Sequence, residues 1–144
     1  MRSLDYQSIL ARVYGHFAIY RHPLGLIGGS PCYHQGTYGD PIDIDCPCAI
    51  GLFDDQHRLN DPDLAMLDVA TLFAQRPDVL NDIFDVDSLT REDAGFLLRI
   101  QDTHDFHALD RDRKPWRPTD TFHDEIADGL KRIASDYKLP ALAF

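Results

Sequence analysis

The chain has 144 residues, 44% of them apolar and 26% charged, with a formal net charge of −10 at neutral pH. That length and composition predict one domain over residues 1–144 with a single sizeable core; they exclude a disordered chain, and no apolar run approaches the roughly 18 residues of a membrane span. The acidity is uneven: residues 40–94 hold fourteen acids against Arg58, Arg76 and Arg91, a net of −11, which repels phosphate backbones and excludes direct nucleic-acid binding.

In chain order, residues 4–21 predict an amphipathic helix, because Tyr6, Ile9, Leu10, Val13, Phe17 and Tyr20 recur three and four apart. Pro23 ends it, and Gly25, Gly28 and Gly29 mark a loop. Around residues 30–46, Tyr33, Thr37, Tyr38, Ile42 and Ile44 alternate with turn formers, the pattern of a small β-hairpin or ordered loop. Ala49 to Phe53 suit one helical turn. Asp61-Pro62-Asp63 predicts a helix start, a capping carboxylate before proline, and the apolar run from Leu64 to Phe73 predicts that this helix is buried.

Pro77 stops that helix and opens a short one over 77–84. Thr90-Arg-Glu-Asp93 reads as a capping box at the head of a helix running to about Asp105. Residues 106–118, charged and holding Pro115 and Pro118, predict a loop. Thr121-Phe-His-Asp124 starts the last helix, which carries the stripe Ile126, Leu130, Ile133 and Tyr137 and closes at Pro140. The expected fold class is therefore mainly α (α+β): a compact bundle of about five helices with a small β-hairpin or loop insert near residues 30–46.

The chemistry-bearing residues crowd into Cys32 to Asp55, which includes all three cysteines. An odd cysteine count and a first segment without an apolar leader suit a cytoplasmic protein with no membrane partner. Cys32, His34, Cys46 and Cys48 are four candidate zinc ligands, but Cys-x-Cys and Cys-x-His spacings strain chelation by both side chains, so no cofactor is expected. Cys48 at a helix start, with His104 and Asp105 as base and orienter, forms a candidate catalytic set for a cysteine-dependent hydrolase or transferase. Asp54-Asp55 with Asp43 and Asp45 could take a hard cation through carboxylate oxygens, although their spacing matches no EF-hand. Walker, Gly-x-Ser-x-Gly and His-Glu-x-x-His signatures are absent, so the reading leans away from an enzyme.

Several motifs stand together in order: Ile9, Leu10, Val13 and His16 on the first helix; a cysteine-led hairpin from Cys32 to Tyr38; Cys-Ala-Ile-Gly-Leu-Phe-Asp-Asp from Cys48 to Asp55; Leu-x-x-Ile-Gln-Asp-x-His-Asp from Leu97 to Asp105; and Ile-Ala-x-x-Tyr-x-Leu from Ile133 to Leu139. This order resembles a group of small uncharacterised proteins of bacteria and their phages that carry a Cys-x-Tyr-Arg-Gly … Cys-Ala-Val-Gly-x-Leu-Ile-x-Asp pattern. The chain departs from it at His34-Gln35, at Cys46-Pro47 and by an insertion over 106–118. The resemblance implies an accessory protein of a phage or mobile element.

The expected function is then an acidic accessory protein that binds a host protein through a basic surface, inhibiting a nucleic-acid-handling or defence complex (a CRISPR-like one among them) by occupying its basic groove. The candidate partner-binding residues are Asp43, Asp45, Asp54, Asp55, Asp61, Asp63, Asp85 and Asp87, with Trp116 as an aromatic contact. The alternatives are the cysteine-dependent enzyme and a zinc-stabilised binding module.

Overall fold

The computed structural model describes residues 3–20, 26–27, 30–31, 36–37, 45–46, 49–56, 58, 63–64, 67–109 and 122–140, with the side chains of the strand residues, of 105–109 and of 122 left aside. The described residues form five α-helices: α1 (Tyr6–Tyr14), α2 (Val69–Gln75), α3 (Pro77–Phe84), α4 (Arg91–Leu109) and α5 (Phe122–Asp136). The fold class is mainly helical, as the periodicity predicts. In place of a developed hairpin there are two minimal antiparallel ladders of two residues a side: Leu26–Ile27 (β1) with Ser30–Pro31 (β2), and Gly36–Thr37 (β3) with Asp45–Cys46 (β4). Among the described residues no helix is long and apolar enough to cross a membrane.

Three helices, α1, α2 and α4, start at a side chain that accepts one of their first N–H donors. Asp5 caps α1 by accepting the Ser8 N–H at 3.1 Å, and its carboxyl is held below the usual value by that bond and by the Ser8 hydroxyl. Pro77 occupies the first turn of α3. At the head of α4 the box is reciprocal: the Thr90 N–H donates to Asp93 Oδ2 at 2.9 Å and the Asp93 N–H donates to Thr90 Oγ1 at 3.1 Å. Two boundaries differ from the sequence pattern. The helix expected from Asp61 begins at Val69, because Asp68 caps it through the Thr71 N–H at 2.7 Å while Gln101 Oε1, on α4, takes the Val69 N–H at 3.0 Å. Likewise, α4 runs past Asp105 to Leu109 and takes four residues from the expected loop.

The core is one cluster fed by every helix: Leu10, Val13 and Phe17 from the first, Leu72 from α2, Leu80 from α3, Phe96, Leu97 and Ile100 from α4, and Ile126, Leu130 and Ile133 from α5. Burying each such side chain contributes about 1.5–3 kcal/mol, whereas an exposed ion pair contributes about 0–1 kcal/mol, so apolar burial and not surface charge holds this fold. Tyr6 joins the two ends of the chain: its ring stacks on Phe96 with centroids 4.0 Å apart and meets Tyr137 edge-on at 5.5 Å.

After Tyr14 the first helix widens into a π turn, Gly15–Ile19, marked by the Tyr20 N–H donating to the Gly15 carbonyl at 2.9 Å. Phe17, on this turn, is the hub of a histidine cluster. His123, fully buried on α5, lies with Nδ1 2.7 Å from the Phe17 carbonyl oxygen. A carbonyl only accepts, so Nδ1 carries the proton. His104 on α4 packs its ring 5.1 Å from the Phe17 ring, and the His16 ring stands edge-on at 4.6 Å.

Candidate functional site

Among the described residues, the segment around Asp54 meets α3 through Arg58. A 3-10 turn, Gly51–Phe53, delivers Asp54 inward, where it is 4% exposed and its Oδ1 accepts the backbone N–H of Arg58 at 2.9 Å. This bond spans four residues and turns Arg58 back toward α3. There the Arg58 guanidinium pairs with Asp82 through Nη1, and its Nη2 lies 3.8 Å from Asp78 Oδ2. Asp78 and Asp82 are one helical turn apart, so they share a face of α3. Arg76 also grips Asp78 in a fork, Nε to Oδ1 at 3.1 Å and Nη2 to Oδ2 at 3.0 Å, and this fork, ahead of the weaker pull of Arg58, holds the Asp78 carboxyl below the usual range.

Asp85 closes α3 in the left-handed conformation (φ 53°), which a short polar side chain tolerates. On the opposite wall, Arg12 donates to the Leu52 carbonyl at 2.9 Å, lies over the Phe53 ring at 4.9 Å and stands 4.0 Å from exposed Asp55. Phe53 in turn packs on Phe84 of α3, ring to ring at 5.2 Å.

Between these walls is a recess of about 250 Å³ with Phe53 and Ile83 as apolar sides, Asp55, Asp82 and Asp85 as carboxylates and Arg58 as the cation among its lining residues. Its chemistry suits a ligand that is cationic at the tip and apolar along its stem, the description of an arginine or lysine side chain. The excess of negative charge is local: from residue 54 to residue 93 the described side chains include ten carboxylates against Arg58, Arg76 and Arg91. Adding Arg12 brings the arginines set against these ten carboxylates to four. The carboxylates do not form one continuous face, however. Asp5, Glu92 and Asp93 line a separate, more open recess beside Tyr6 and Leu139.

The sequence-predicted residues divide accordingly. Asp55 and Asp85 come together in the recess. Asp54 also lines the recess, but it is buried and its Oδ1 caps the turn by accepting the Arg58 N–H. Asp63 and Asp87 are exposed but line neither recess. Asp45 is placed only by its backbone, opposite Thr37 in the second ladder, while Asp43, Asp61 and Trp116 lie outside the described residues. Cys46 is likewise placed only by its pairing with Gly36; the other zinc candidates, Cys32, His34 and Cys48, lie outside the described residues. Among the described residues no group of three or more His, Cys, Asp and Glu could hold a metal. Of the candidate catalytic set, His104 is 1% exposed and packed on Phe17, a core position; the Asp105 side chain and Cys48 fall outside the described residues. Sequence reading missed Arg58, Asp78 and Asp82. The available signal was the four-residue spacing of Asp78 and Asp82 on a short amphipathic helix.

No family model, no curated protein and no solved structure matches this chain.

Proposed function

We propose that this chain is an acidic binding protein that docks on the basic surface of another protein and, by doing so, keeps DNA or RNA out of the groove that surface forms. The observation that carries the reading is the recess itself: Asp55, Asp82 and Asp85 converge beside Phe53 and Ile83 on a part of the chain with a large excess of carboxylates. A nucleic-acid-binding groove offers the complement, arginines and lysines spaced to meet phosphates. Carboxylates presented from a folded, apolar-cored body compete for the same side chains, with long-range attraction accelerating encounter. The resemblance to small phage and bacterial proteins supports an accessory role in which the target is a host nucleic-acid-handling or defence complex. The experiment is a competition: labelled DNA or RNA bound to such complexes is titrated with this chain. The reading expects release of the nucleic acid at about 50 mM salt and little release at about 500 mM, where screening shortens the reach of charge to a few ångströms. Failure to release nucleic acid from any such complex at low salt contradicts it.

A further inference from the structure

We infer that Arg58 is an internal competitor for the acidic recess: its guanidinium sits where a partner's arginine binds, and the partner must displace it. The inference rests on the binding reading above and concerns how that same surface is regulated. Three observations carry it. First, Arg58 enters the recess from its own wall and reaches across to the other, pairing with Asp82 and approaching Asp78 on α3. Secondly, the arginine is sunk and the acids project: its side chain is 27% exposed, against 65% for Asp82 and 58% for Asp78. That is the arrangement of a guest between host carboxylates. Thirdly, Arg58 is anchored at its backbone by Asp54, through a bond that does not involve the guanidinium. The head group can therefore swing out without undoing the turn that carries it.

An ion pair at this exposure is weak, so a basic surface offering several cations at once can exchange with it. The resulting device sets a threshold. A single stray cation gains little by replacing Arg58, whereas a multivalent groove recruits Asp82 and Asp78 together with Asp55 and Asp85.

The test uses the full chain and a fluorescein-labelled decaarginine peptide, followed by anisotropy, with folding of each variant checked by circular dichroism. Arg58→Gln is expected to bind the peptide about two- to fivefold more tightly than the wild type, and Asp82→Asn more weakly. Arg58→Met, which keeps the packing of the stem, gives the same two outcomes if Arg58→Gln unfolds early. Wild-type binding with no gain in either Arg58 variant overturns this inference and leaves the binding reading standing. Binding by none of the proteins overturns the binding reading, and the inference falls with it. Binding by the Arg58 variants alone supports a strong internal block.

Discussion

The Tyr6 hydroxyl donates to Asp93 Oδ1 at 2.7 Å, joining the first turn of α1 to the head of α4 across 87 residues of sequence. The same carboxylate is already bonded within the capping box of α4, so one side chain serves a helix cap and a tertiary tie. Tyr6→Phe keeps the stacking on Phe96 and removes only the tie. The expected cost is about 1–2 kcal/mol in a urea melt. Burial first, and then the bond to Asp93, push the Tyr6 phenol above its ordinary value of 10.0. Above pH 10.0 the unfolded chain therefore sheds a proton that the native chain keeps, and stability falls as pH rises. Tyr6→Phe should lose less stability than the wild type between neutral pH and pH 11. Equal losses would show that this phenol does not couple to folding.

Two glycines on adjacent helices make opposite predictions. A Cβ at Gly129 of α5 would stand 2.7 Å from Thr103 Cγ2 on α4, so Gly129→Ala forces the helices apart and should cost about 1–3 kcal/mol. At Gly95 of α4 a Cβ would meet nothing within 4 Å, so Gly95→Ala should stabilise by about 0.5–1 kcal/mol through helix propensity alone. Thermal melts of the pair read both signs at once.

The π turn has its own test. Replacing His123 with alanine leaves the Phe17 carbonyl without its ring donor in a fully buried place. The expected loss is about 1–3 kcal/mol from that bond, with a further cavity cost. Hydrogen exchange should locate the effect: the Tyr20 amide, bonded to Gly15 across the π turn, should exchange faster than amides in the middle of α5.

Asp68 rather than Asp61 starts α2, so Asp68→Ala should lower stability by about 1 kcal/mol, the worth of an N-cap. Gln101→Leu should destabilise at the same helix start by stranding the Val69 N–H. Additive losses in the double variant would mean that the two bonds act independently; a shortfall would show that they hold one cooperative turn.

Much of this architecture is legible from local chemistry. Pro77, the Thr90/Asp93 box and the Ile126, Leu130, Ile133 stripe each act within a few residues, and each marks its helix correctly. What local pattern missed depends on partners far away in sequence. The start of α2 answers to Gln101, 32 residues distant, and the π turn is tied to His123 on α5. The site follows the same division. A surplus of carboxylates near Asp55 and Asp85 is visible in composition alone. That Asp54 turns inward, and that Arg58 reaches across to Asp82 beside the packing of Phe53 on Phe84, is set by tertiary contacts that no periodicity reveals.

The proposed docking on a basic surface requires the clustered, exposed carboxylates Asp55, Asp82 and Asp85 to attract cations. The most direct measurement is the dissociation constant for the decaarginine peptide between about 50 and 500 mM salt, for the wild type and for the triple variant Asp55→Asn, Asp82→Asn, Asp85→Asn. Wild-type affinity should fall more than about tenfold across that range, and the triple variant should bind weakly with a shallow salt slope. Affinity indifferent to salt, or a triple variant indistinguishable from the wild type, would contradict it.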